Sequence, residues 1–221
     1  MQYTIHSRCI TLFPTDTEAP CVWLNTFSQE AEAVWNACQA LGSPPFTLAA
    51  IHMDNWNDDL SPWPAPTVFK GKDDFAGHAD AYLKELTECI IPEITDMPAA
   101  KPSYHAIAGY SLAGLFAVYA LYRTHLFARA ACASGSFWFP GFLEFAASHD
   151  TLRKPDAVYL SLGDRECRTR NPVMAAVQER TQALHDLFAA QQIRTTFELN
   201  PGNHFQDPAL RMAKGIRWML G

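Results

Sequence analysis

The sequence predicts an α/β protein with a mostly parallel central sheet and helices on both faces, three layers in all. Three observations carry this. From Cys21 onward, short apolar runs alternate with segments whose apolar residues recur at helical spacing. The runs are almost continuously apolar, as strands covered on both faces must be. Irregular segments rich in Pro separate them, most clearly at residues 61–66. Strand, helix, strand in succession means right-handed crossovers and parallel pairing.

The elements follow in order. Residues 21–24 are the first apolar run. Ala31, Val34, Trp35, Cys38 and Leu41 then share one helical face, and Gly42 stops that helix. Residues 46–51 make a second strand. Beyond the Pro-rich loop, Phe75, Ala79, Tyr82, Leu83, Leu86 and Ile90 give another helical face, expected to end near Pro92. Residues 104–108 form a third strand that passes at once into a helix over 112–124. Further strands are expected at 129–133, 157–162 and 195–199, with helices at 172–190 and 208–220. Ligands of open α/β sheets bind beyond the carboxyl ends of the strands, so functional residues belong in the loops there.

Composition narrows the function classes. A chain of 221 residues with 48% hydrophobic and 18% charged residues suits a single folded domain over 1–221. The net charge of −6, with no Lys/Arg cluster, argues against nucleic acid. No run of 18 apolar residues exists, so no membrane span is expected. Met1 to Phe13 lacks a basic stretch followed by an apolar one, so no secretory leader is expected. Six scattered cysteines without a CxxC pair fit reduced thiols and a cytoplasmic setting. The acidic stretch 54–59 lacks the Gly and Glu of a calcium loop, and no zinc, phosphate-loop or dinucleotide motif occurs. The expectation is therefore no metal and no cofactor.

The strongest local signal is Gly109-Tyr110-Ser111-Leu112-Ala113-Gly114, where a strand meets a helix. A nucleophile elbow holds its Ser in a strained turn and needs small neighbours. The second small position is Ala113, with Gly114 one place later. The turn lifts the Ser111 hydroxyl above the sheet and aims the Leu112 N–H at a developing oxyanion. A Ser hydroxyl needs a base, and His204 follows the last strand. A third group must orient the imidazole. Ser161-Leu162-Gly163-Asp164-Arg165-Glu166 ends a strand with two carboxylates. An acid three residues after such a Gly is common in hydrolases, which favours Glu166, with Asp164 as the alternative. The order Ser, acid, His is that of α/β-hydrolases. A second oxyanion N–H is expected from Thr26 or Phe27, although Ser28 could equally be capping a helix there.

These segments resemble the esterase branch of the α/β-hydrolases. That branch holds siderophore esterases of the enterobactin-esterase type and, more distantly, the esterase D or formylglutathione hydrolase group. The likeness runs from about Cys21 onward. It rests on the elbow at Gly109 to Leu115, on Ser134-Gly135-Ser136-Phe137-Trp138, on the segment ending in Glu166, and on Gly202-Asn203-His204-Phe205. The loop Asn57-Asp58-Asp59-Leu60-Ser61-Pro62 is similar to one the family keeps beside its active site. The likeness implies a compact α/β-hydrolase fold acting on a small-molecule ester, with Tyr110, Asp59, Ser136 and Trp138 as candidate pocket residues. The chain departs from the family in having Asn25-Thr26 where an Asp-Gly step is usual, and in its short N-terminal region. Rival readings are a thioesterase or acyltransferase with the same triad, or a binding protein that has lost catalysis.

Overall fold

The computed structural model describes residues 1–27, 30–68, 71–96 and 101–221. Eight strands form one sheet in the order β1-β2-β4-β3-β5-β6-β7-β8. From β4 to β8 every pairing is parallel, whereas β1 and β2 pair antiparallel and β2 meets β4 antiparallel.

The edge hairpin is β1 (Gln2–Ile5) and β2 (Arg8–Phe13), which the apolar pattern did not announce. Its strands are only half buried, and Ile5 pairs with Arg8, leaving a two-residue turn. His6 and Ser7 both take positive φ, 48° and 68°. Such turns are normally flagged by Asn-Gly or Asp-Gly, and neither is present.

The parallel part alternates. β3 (Cys21–Thr26) leads to α1 (Ala31–Ala40), β4 (Thr47–His52) and the short α2 (Trp56–Asp59). α3 (Ala79–Glu85) continues through a π-turn at Leu86–Ile90 into α4 (Ile91–Thr95). The helical segment therefore does not end at Pro92. Proline cannot donate to the carbonyl four residues back and crowds it, and the wider π-turn just before it relieves that conflict. β5 (His105–Tyr110) passes into α5 (Leu112–Leu121), followed by β6 (Phe127–Ala133) and α6 (Phe142–Ser148), a helix the sequence pattern left unread. β7 (Ala157–Gly163) leads to α7 (Pro172–Ala175) and α8 (Val177–Ala190), two helices where one was expected. β8 (Arg194–Asn200) and α9 (Pro208–Leu220) close the chain.

Strand side chains alternate between two cores. Trp23 and Ile107 point to the layer of α3, α5 and α8, where they join Leu83, Phe116 and Phe188. Leu24 and Ala108 point to α1 and α9, with Val34, Met212 and Ile216. Each large side chain so buried contributes about 1.5–3 kcal/mol. All ten residues of α5 are buried, so the helix behind the elbow is gripped on every side. Among the described residues no helix is long and apolar enough to cross a membrane, and the six cysteines are free thiols.

Candidate active site

The carboxyl ends of β5, β7 and β8 bring three sequence-predicted residues together. Ser111 sits between β5 and α5 with φ 58° and ψ −121°, a conformation that side chains other than Gly rarely adopt. Its N–H donates to Ala133 O at 3.0 Å, and its carbonyl accepts from Gly114 N and Leu115 N. The strain is thus held by hydrogen bonds on both sides of the residue. Close packing holds it too. A Cβ on Gly109 would lie 2.1 Å from Ala113 O, and one on Gly114 would lie 2.7 Å from Cys132 Sγ. Gly is needed at 109 and 114, while position 113 tolerates a methyl group. Leu112 opens α5, so its N–H has no acceptor within the helix.

His204 follows β8, in the turn before α9. Its Nε2 is 3.1 Å from Ser111 Oγ and its Nδ1 is 2.8 Å from Glu166 Oε2. The Tyr110 hydroxyl donates to the His204 carbonyl at 2.8 Å and pins the loop to β5. The Glu166 side chain is 4% exposed and that of His204 31%, so the acid is sealed while the imidazole reaches solvent.

Glu166 Oε1 faces the opposite way and accepts from Ser134 Oγ at 2.6 Å, Gly163 N at 2.6 Å and Arg211 Nη1 at 3.1 Å. Burial works against ionisation of this carboxyl. The hydrogen bond and charge of His204, then the bonds from Ser134 and Gly163, outweigh it and hold the group below the ordinary carboxylate range. Asp164 does another job. Its Oδ1 accepts from Gly202 N at 2.8 Å, closing the turn that carries His204.

The remaining candidates divide. Ser136 lies beside Ser111, with its Oγ 3.4 Å from Ser111 Oγ and its N–H donating to Ser111 O. Thr26 lies past the last β3–β5 pair, Asn25 with Gly109, at the carboxyl end of β3, where it pairs with His52 of β4; its hydroxyl is used on Ile51 O. Phe27 is exposed, edge-on to Trp56. Ser28, the alternative cap, lies outside the described residues. Trp138 is buried against Phe75 in an aromatic cluster that also holds Phe139 and Trp63. Asp59 is buried and paired with Arg8 at 2.7 Å, and Arg8 also holds Glu85 at 2.9 Å. Its loop is fixed structurally, with Asp58 accepting from Ala76 N and His78 N.

Sequence reasoning passed over Arg211 and the part played by Ser134. The available signal for Arg211 was its place on the apolar stripe of α9, beside Met212 and one turn before Gly215 and Ile216. Among the described residues no group of three or more His, Cys, Asp or Glu could hold a metal ion.

Residues 30–208 match the Esterase family, described as "Putative esterase". The chain belongs to this family. A relative of undescribed function, "Uncharacterized protein YbbA" of Bacillus subtilis (strain 168), is 25% identical over 205 residues, covering 88% of this chain and 81% of the relative. Among solved structures, siderophore hydrolase EstA from Aspergillus nidulans superposes with a TM-score of 0.73 at 20% identity, covering 99% of this chain and 92% of that one. An IroE-like serine hydrolase from Shewanella oneidensis gives 0.77 at 19% identity, over 96% and 75%. The enterobactin esterase FES from Shigella flexneri gives 0.71 at 19% identity, over 96% of this chain and 55% of that one. These similarities establish the α/β-hydrolase fold, and family membership makes this esterase an ester-bond hydrolase.

Proposed function

We propose that this esterase hydrolyses carboxylic esters through an acyl-enzyme on Ser111. The observation that carries the reading is the placement of His204, with Nε2 3.1 Å from Ser111 Oγ and Nδ1 2.8 Å from a buried carboxylate. With Glu166 accepting from Nδ1–H, the imidazole holds its lone pair on Nε2, toward the hydroxyl. Ser111 Oγ attacks the acyl carbon and His204 takes its proton. The carbonyl π-electrons move to oxygen, which the Leu112 N–H and an N–H of Thr26 or Phe27 stabilise. On collapse the ester C–O bond breaks and His204 gives its proton to the departing alkoxide. Water then repeats the sequence, releasing the acid and restoring Ser111.

Asp164 is spoken for by Gly202 N, which supports Glu166 as the third member. The siderophore and enterobactin esterases among the structural neighbours make siderophore esters one class to include in a substrate panel.

The test is a fluorophosphonate probe applied to the wild type, Ser111→Ala and His204→Ala. Labelling of the wild type alone is expected. Labelling that survives loss of Ser111 removes this mechanism.

A further inference from the structure

Arg211 is a fully buried cation beside the catalytic set. Its side chain is 2% exposed, and no mechanistic step described above uses it. Burying a guanidinium is costly unless every donor finds an acceptor. Its acceptors come from both loops that carry the reactive groups. Nη1 donates to Glu166 Oε1 at 3.1 Å, with Tyr110 Oη at 3.3 Å and Ser134 Oγ at 3.4 Å also in reach. Nη2 donates to Pro201 O at 2.8 Å, three residues before His204. Arg211 itself lies one turn into α9, with its N–H on Asp207 O, so the helix anchors it.

A count of protons shows what this accomplishes. Ser134 has one hydroxyl proton, given to Glu166 Oε1 at 2.6 Å. Tyr110 gives its own to the His204 carbonyl. The 2.9 Å approach of these two hydroxyl oxygens therefore has no proton of its own, and the second N–H of Arg211 Nη1 supplies the positive edge between them. With Ser134, Gly163 N and Arg211 all on Oε1, that oxygen is saturated. The other oxygen, Oε2, is left for His204.

We infer that Arg211 is a positioning residue for ester hydrolysis, locking Glu166 Oε2 onto His204 and bracing the acid turn against the histidine loop. The inference rests on the triad reading above.

The experiment is steady-state hydrolysis of an activated ester, with kcat and KM separated, for the wild type, Arg211→Met and Arg211→Lys, with Ser111→Ala as the zero. We expect kcat of Arg211→Met to fall roughly 10- to 100-fold from lost positioning with KM within about twofold, and Arg211→Lys, which keeps a donor cation, to return kcat toward that of the wild type. Should Arg211→Met not fold, the change is made in a Glu166→Gln background, where the buried anion and cation leave together. There the further loss in kcat should be under about threefold, because Arg211 acts through Glu166. A kcat within about threefold of wild type in a folded Arg211→Met enzyme, or an equally large loss in the Glu166→Gln background, overturns the inference. Activity that survives in Ser111→Ala instead refutes the triad reading itself, so the two failures are distinguishable.

Discussion

Replacing Glu166 by Gln tests the acid with almost no change of shape, and the hydrogen bonds fix what the amide must do. Three donors converge on Oε1, from Ser134, Gly163 N and Arg211. An NH2 group there would face them all, so the amide oxygen takes that side. The NH2 group is then forced toward His204 Nδ1, which Glu166 Oε2 now meets at 2.8 Å. It donates to Nδ1, so Nδ1 must carry the lone pair and Nε2 the proton. That tautomer cannot accept from Ser111. The equivalent Asp→Asn change in serine proteases costs about 10⁴ in kcat, or about 5.5 kcal/mol of transition-state stabilisation. Stability falls as well, because Arg211 is left buried opposite a neutral group. About 3 kcal/mol is expected, or roughly 6–12 °C in a chain of this size. Asp164→Asn is the control. It disturbs one hydrogen bond to Gly202 N, and kcat should stay within about tenfold. Steady-state hydrolysis of a chromogenic ester and a thermal melt supply both numbers. A Glu166→Gln enzyme within tenfold of wild type, or an Asp164→Asn enzyme that loses more, would refute the reasoning.

Other expectations follow from the same geometry. Gly109→Ala puts a Cβ 2.1 Å from Ala113 O, so β5 and α5 must separate; a loss of about 2–3 kcal/mol and at least tenfold in kcat should appear in melts and kinetics. Arg8→Met strands the buried Asp59 beside Glu85 without removing a hydrogen bond of Ser111, His204 or Glu166; denaturant unfolding should show a loss of about 2–4 kcal/mol while kcat in the folded enzyme stays near wild type. Because the Glu166 carboxyl is held below its unfolded value of about 4.3, its contribution to stability is present above that pH and lost as pH falls through the lower folded value. Melts from pH 5 to pH 2.5 should therefore be steeper for the wild type than for Glu166→Gln, and equal slopes would remove that contribution.

Much of this protein was legible in the order of its residues. The parallel strands are local apolar runs and most helices are local periodicities, and both patterns persist because each strand and each helical stripe meets a core layer. The elbow signal is local as well, since the close strand–helix packing around it leaves no room for a Cβ where Gly109 and Gly114 stand. His204 could be singled out because a loop after the last strand of such a sheet is where a base for Ser111 is expected. The edge hairpin escaped because His6 and Ser7 adopt positive φ without the usual turn residues. The helical segment outran Pro92 because a π-turn absorbed it. Which carboxylate meets the imidazole could not be read from Gly163-Asp164-Arg165-Glu166, since both acids lie within three residues of the strand end. Packing decided it: Asp164 turns to Gly202 N, while Glu166 is drawn inward by Ser134, Gly163 N and Arg211. Those partners lie 32, 3 and 45 residues away in the chain. Local pattern sets the strand ends where candidate groups stand, but the hydrogen bonds that select among them form only when distant segments close around a buried charge.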